Sequence, residues 1–429
     1  MKQKICLQAV GIKQYCRFLT FVVGQLPNCS VKYNSKRKYF YDNDLYCYRE
    51  YILKSGNFDG LKIICRHGRM TVRDKVHLIA DVTFEFEARA AKAAAAATTF
   101  AEKLLAGKYK FVLEEPLLEA RAALLKGTYY LEKLKYYDNR LAATALLCHL
   151  PWHLYSISNL WEEMLAKRDD KLAVRQLRVR LRRLRSLLAL LKPLLPEKEL
   201  AAHRALLKNY ADRLSATREY DVALLACAKL QRHRNVNEDS GVFILDALLS
   251  KMREEVLSAA LTGITLNKIT LDLLRLQVFI YAAAAGEKRC EKELEEFFSD
   301  RFCGWTDKLL QLHDKYNDMT DMEQLHRIRI KLKRFRYALQ AVPEITISAS
   351  LLRNLKGLQD LLGFLHDAYI NGILVDAILR KYPENNVLHY EGAMLKGWEQ
   401  GKADLALEAL PRRWNKFCEV LQGWREENL

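Results

Sequence analysis

Proline is scarce in this chain, with eight in 429 residues, while half of all residues are hydrophobic. That balance excludes extensive disorder. No uncharged apolar run reaches ~18 residues, so no membrane span is expected. The ten cysteines (Cys6, Cys16, Cys29, Cys47, Cys65, Cys148, Cys227, Cys290, Cys303 and Cys418) form no CxxC pair. No His/Cys spacing fits a zinc site either, which excludes the common metal-binding modules. Reduced, mostly buried thiols in a cytoplasmic protein are expected. The opening MKQKICLQAVGIKQYCRFLTFVVG begins basic, but Lys13, Gln14 and Arg17 interrupt its apolar run, so a secretory signal is not expected. Zinc fingers, RNA-recognition motifs and Gly-rich phosphate loops are absent as well.

Acid is the other shortage. Lys and Arg number 69 against 52 Asp and Glu, a net charge of +17. An excess of this size points to a polyanionic partner: nucleic acid, an acidic membrane surface or a phosphate polymer. At 429 residues the chain also exceeds what one core usually supports, so two or three domains are expected.

The texture divides it. Up to about residue 87 short alternating runs such as LKIICRHGRMTVRDK (61–75) and DVTFEFE (81–87) are punctuated by Gly56, Gly60 and Gly68, which reads as strands and turns. Alanine-rich 88–106 reads as a helix ending at Gly107. From Leu141 onward the pattern is helical, with prolines at 151, 193, 196, 343, 383 and 411 expected at helix ends. The expected domains are 1–140, β-rich, and 141–425, helical.

An internal repeat governs the helical part. Shifting by 151 lays Arg175 on His326, Arg178 on Arg329, Arg180 on Lys331, and Arg182, Arg183 and Arg185 on Lys333, Arg334 and Arg336. Further on, a shift of 148 lays Lys208 on Lys356, Arg218 on His366 and Glu219 on Asp367. A period this long suits two related helical bundles in tandem, about 141–285 and 286–425, better than a solenoid.

At helical spacing Leu177, Leu181, Leu184 and Leu188 share one face, and Arg175, Arg178, Arg182 and Arg185 share nearly the opposite one. The second copy sets Ile328, Leu332, Phe335 and Leu339 against His326, Arg329, Lys333 and Arg336, with Arg183 and Arg334 on the flanks. Solvated faces usually mix signs, because opposite charges at i,i+4 stabilise by ~0.2–0.5 kcal/mol while like charges cost as much. Yet Lys171 to Lys192 holds eight basic residues and no acid. An anion that neutralises both rows explains why the same unfavourable choice occurs twice. Arg offers a planar fork to phosphate oxygens and Lys an adaptable point charge, so such rows suit a string of phosphates. His326 and His366 are either further donors or neutral packing groups; the residues leave both readings open.

The spacing His326-x-x-Arg329-Ile330-Lys331-Leu332-Lys333-Arg334-x-Arg336, followed by Leu362-Gly363-x-x-His366-Asp367, resembles the motif of the CHAD domain, a conserved histidine α-helical domain. The resemblance covers about 141–425. Its first copy departs from the pattern, with Arg175 for the histidine, Ser215 for the glycine and Glu219 for the aspartate. The resemblance implies two pseudo-symmetric four-helix bundles around a cationic groove that binds inorganic polyphosphate. It also implies ligand contacts at Arg175, Arg178, Arg182, Arg185, His326, Arg329, Lys333 and Arg336, with Lys208, Lys356, Arg218 and His366 as second choices.

CHAD domains often follow a CYTH domain, a β-barrel that hydrolyses triphosphates with a divalent metal. Here KYFYDNDLYCYRE (38–50), LKIICRHGRMTV (61–72), TFEFEA (83–88) and LLKGTYYLEKL (124–134) are similar to CYTH segments, so a degenerate CYTH-like, α+β N-terminal domain is expected. The ExExK motif that would hold metal and phosphate is missing, since the chain opens KQKICLQA. Glu85 and Glu87, at strand spacing, either supply part of a metal site or face solvent.

The expectation is therefore a mainly α protein that binds inorganic polyphosphate without catalysis, cofactor or resident metal, in the cytoplasm or at polyphosphate granules. No membrane partner is expected, and the sequence says nothing of oligomeric state. The alternatives are a CYTH-type triphosphatase with an altered metal site and a non-specific nucleic-acid binder. Weak nucleic-acid affinity at low salt is expected in any case, because phosphate contacts dominate it.

Overall fold

A computed structural model describes residues 2–12, 15–26, 29–39, 45–55, 60–87, 90–118, 120–121, 140–167, 170–234, 244–286, 288–315, 321–340 and 347–428. The fold is mainly helical, with a six-stranded sheet near the N-terminus. The strands are β1 (Lys2–Ala9), β2 (Cys29–Tyr39), β3 (Leu45–Ser55), β4 (Leu61–Val72), β5 (Lys75–Glu87) and β6 (Phe111–Glu114). Helix α1 (Tyr15–Gly24) follows β1, and α2 (Ala91–Leu105), the expected alanine-rich helix, precedes β6. The order β2-β3-β4-β5-β1-β6 is antiparallel throughout.

Alternation sorts the sheet into two faces. Ile5 and Leu7 lie with Phe84 and Val82 on one, while Cys6 lies with Thr83 and Glu114 on the other. On that polar face Asp81, fully buried, is held by Arg66 Nε at 2.9 Å and Arg121 Nη2 at 3.2 Å. Burial pushes the Cys6 thiol beside them up to about 12, the neighbouring Asp81 adding to it. Among the described residues the cysteines are free thiols, six buried and Cys47 exposed.

The helices after the sheet are α3 (Ala142–Ala166), α4 (Lys171–Leu190), α5 (Glu197–Arg213), α6 (Ser215–Arg234), α7 (Ile244–Leu261), α8 (Leu266–Gly286), α9 (Leu294–Lys315), α10 (Met322–Leu339), α11 (Ala349–Leu379) and α12 (Asn386–Asn428). They repeat in four parts. Helix α3 answers to α9 and α4 to α10; the pair α5–α6 answers to unbroken α11, and α7–α8 to unbroken α12. In the first copy Gly263, at φ +72°, ends α7 in the left-handed conformation that glycine tolerates.

Two prolines depart from expectation: Pro151 and Pro411 lie inside α3 and α12 rather than at helix ends. In α3, Leu147, Leu150, Leu154 and Tyr155 are buried around Pro151, so packing holds the helix across the missing N–H. Two helices, α8 and α11, are long and apolar enough to cross a membrane by length and composition. Both are interrupted by charge, as at Asp272 and Arg275 or Asp360 and Asp367.

The chain forms two compact units, each gathered from segments distant in sequence. The first gathers residues 1–184, 191–204 and 263–294, and the second 185–190, 205–262 and 295–429. In the first unit the reason is β6. Leu113 N donates to Ser158 Oγ of α3 at 2.8 Å, while Phe111 N donates to Asn267 Oδ1 and Thr270 Oγ1 donates to Phe111 O, both on α8. The edge strand thus satisfies its backbone on helices. The second unit has its own core, in which Leu224, Cys227, Leu245 and Leu249 pack with Val375, Ile378, Leu388 and Leu395.

Gly68 of β4 faces β3 so closely that a Cβ would lie 2.1 Å from Cys47 O and 2.6 Å from Tyr48 Cα. Gly68→Ala must therefore displace backbone, and a loss of about 1–3 kcal/mol is expected in chemical denaturation. Wild-type stability in that variant would refute the close approach.

Candidate functional site

Both basic helices are placed by the same two devices. An aspartate caps each start: Asp170 accepts from Leu172 N at 2.7 Å and Ala173 N at 3.2 Å, and Asp321 accepts from Glu323 N at 2.8 Å and Gln324 N at 3.2 Å. An apolar stripe then buries one face. Leu177, Leu181, Leu184 and Leu188 are buried in α4, and Ile328, Leu332, Phe335 and Leu339 in α10. Gln359 of α11 donates to Leu332 O at 2.7 Å and fixes α10 further.

In the second unit the structure brings four of the sequence-selected residues together. His326 Nδ1 lies 3.1 Å from His366 Nδ1 of α11, and Arg329 Nη2 lies 3.5 Å from Asp367 Oδ1. Burial pushes His366 down to about 3, and Arg329, His326 and Lys333 push it the same way. His326 is lowered too, by burial and then by Arg329 and Lys333. Two imidazoles in contact within a positive field are neutral at neutral pH, and one Nδ1–H donates to the other Nδ1, the tautomers deciding which. Asp367 orients Arg329 rather than neutralising the histidines.

The other selected residues are spread along their helices. Arg336 is half-buried one turn beyond Lys333. Lys356 is exposed on α11, ten residues and about 15 Å of helix from His366. In the first copy Arg175 is exposed, while Arg178, Arg182 and Arg185 are half-buried along α4. Lys208 is exposed on α5 and Arg218 half-buried on α6.

A second group escaped the sequence reading. His149 and His153 of α3 are buried, and Arg180 of α4 stacks its guanidinium 4.3 Å above the Trp152 ring. The signal was present as HLPWH, two histidines one turn apart on a helix.

On the sheet, β1 carries Lys2 and Lys4 where the CYTH resemblance calls for glutamates. They sit 3.7 and 3.5 Å from Glu85, which is thereby engaged by cations, and Glu87 is exposed. Among the described residues no group of three His, Cys, Asp or Glu is placed to hold a metal. A cavity of about 430 Å³ on the polar face is lined by Lys4, Tyr48, Glu50, Arg66 and Thr83 among others. The similar stretches at 40–44 and 124–134 lie outside the described residues.

Comparison with known proteins gives a family match: the CHAD domain profile fits residues 154–376, just over half of the chain. Among solved structures, the CHAD domain from the plant Ricinus communis is similar, with TM-score 0.53 and 22% identity over 65% of this chain and 93% of that one. PptA from Streptomyces chartreusis gives TM-score 0.48 and 15% identity over 65% of this chain and 100% of that one. No curated protein matches. At this identity the likeness to the plant domain is one of fold.

The His366 shift sets a sign for acid stability. Its folded value lies below the ordinary 6.5, so the unfolded chain binds the extra proton and stability falls as pH drops from 6.5 toward about 3. His366→Gln removes that share, and thermal melting over this range should decline less steeply than in wild type. Identical slopes would show that His366 is not held neutral.

Proposed function

The chain belongs to the CHAD domain family, and on that footing we propose that it binds inorganic polyphosphate through the cationic rows of α4 and α10, without chemistry of its own. The observation that carries this reading is the gathering of His326, Arg329, Lys333 and His366 at the α10–α11 contact. A chain of phosphates presents oxygens to the Arg forks and gives the imidazoles a reason to take up a proton, each charge-assisted bond being worth more than a neutral one. In the first copy Arg175, Arg178, Arg182 and Arg185 offer permanent charge for the same purpose. Arg336 continues the second row, and Lys208, Lys356 and Arg218 extend the contact with longer chains. A cytoplasmic location, or one at polyphosphate granules, fits this reading.

Binding is expected to weaken steeply with salt and to strengthen with chain length, since each further phosphate that finds a cation adds to the same attachment. Replacing Arg178, Arg182, Arg329 and Lys333 by Ala removes four charge-assisted contacts, and at least a roughly thousandfold loss of affinity for long-chain polyphosphate is expected. Circular dichroism should show helix content nearly unchanged, because all four lie off the buried stripes. Wild-type affinity in the quadruple variant would refute the site. Preference for duplex DNA over polyphosphate in competition at moderate salt would favour nucleic acid as the ligand instead.

A further inference from the structure

Within the first compact unit, α3 and α4 bring together a second set of imidazole and guanidinium side chains that the rows do not include. His149 and His153, one turn apart on α3, are 7% and 3% exposed. Arg180 and Arg183 lie three residues apart on α4, both half-buried. Trp152 ties the two helices: the Arg180 guanidinium lies 4.3 Å from its ring centre, and its ring lies 4.6 Å from that of His153. Among the described residues two nitrogens in this group, His153 Nδ1 and Arg180 Nη1, are sealed from solvent and find no protein hydrogen-bond partner.

We infer that His153 and Arg180, with His149 and Arg183 beside them, form an internal site for a small oxyanion, either inorganic phosphate or the end of a phosphate chain. A buried donor without an acceptor carries its full desolvation cost, and the cost is greater for a charged one. Water would satisfy the hydrogen bonds but leave the charge. An oxyanion does both: the planar guanidinium meets two of its oxygens and an imidazole Nδ1–H meets a third. The charges that act on His153 come from Arg180 and Arg183, both positive, which lower its proton affinity further after burial has lowered it. Small size follows from Trp152, which packs against both Arg180 and His153 and limits the space between them.

The site belongs to the first copy alone. The repeat shift places Asp300, Gly304 and Lys331 opposite His149, His153 and Arg180, and Lys331 is exposed. A feature that the second copy lacks is not a by-product of the repeated basic stripe. The inference therefore stands apart from the rows of α4 and α10 and does not depend on them.

The test uses the full chain with labelled histidine, titrated with inorganic phosphate and, separately, with tripolyphosphate at low salt. The His153 resonances are expected to shift on addition of inorganic phosphate. A shift with tripolyphosphate alone would identify the chain end as the occupant and also support the site. Arg180→Gln and His153→Gln should each weaken binding about tenfold or more, as loss of a hydrogen bond to a charged group implies. Lys331→Gln should leave it unchanged. Thermal melting confirms folding, and if Arg180→Gln fails to fold, Arg180→Lys keeps the charge without the fork and should also bind more weakly. No His153 shift with either ligand, or wild-type binding by a folded Arg180 variant, overturns the proposal. Because Arg329→Ala with Lys333→Ala should leave the His153 shift intact, failure of the polyphosphate rows and failure of this site give different results.

Discussion

Burial of one apolar stripe is the constraint on which the basic helices depend. Side chains of one sign at i,i+3 and i,i+4 repel by ~0.2–0.5 kcal/mol per pair, whereas each buried leucine contributes roughly 1.5–3 kcal/mol. Four buried apolar residues in α4 and four in α10 therefore outweigh the repulsion along their opposite faces several times over. The aspartate caps Asp170 and Asp321 add to this at the helix starts, where negative charge also favours the dipole. Fold stability thus permits the cationic rows, and what the rows are for has to be sought outside the helix.

Elsewhere the chain neutralises its buried cations. Asp81 holds Arg66 and Arg121 beneath the sheet, and Asp221 holds Arg253 Nε at 2.6 Å between α6 and α7. Such pairs offset the cost of taking charge out of water. At the α10–α11 contact Asp367 meets Arg329 at 3.5 Å while the imidazoles give up their charge, His366 with a value of about 3. Arg329 and Lys333 still lower both histidines, so the local field stays positive.

The helical rows were legible because a 3.6-residue period writes an amphipathic helix directly into the sequence, and every residue assigned to the two buried stripes is buried. The strands read at 61–75 and 81–87 correspond to β4 and β5, but their joining turn was silent. Arg73 and Asp74 both take positive φ in place of the usual Asn-Gly, so no glycine marked the hairpin. Pro151 and Pro411 misled for a related reason, since local propensity yields to packing inside a buried helix. Least legible was the gathering of β6 with α3 and α8. It rests on single hydrogen bonds from Ser158, Asn267 and Thr270 to strand backbone, and such residues carry no pattern along the chain.

The two copies of the repeat have diverged in a direction that physical chemistry makes intelligible. Where the second keeps long unbroken α11 and α12, the first is broken at Leu214 and again beside Gly263. Where the second has the facing imidazoles of His326 and His366, the first has Arg175 and Arg218, whose charge does not depend on pH. A guanidinium keeps its charge at any physiological pH, and an imidazole does not. At these two positions the first copy therefore has permanent charge where the second has titratable groups beside Arg329, Lys333 and Arg336. Two histidines of the first copy, His149 and His153, stand instead on α3, both held neutral by burial, to which Arg180 and Arg183 add at His153.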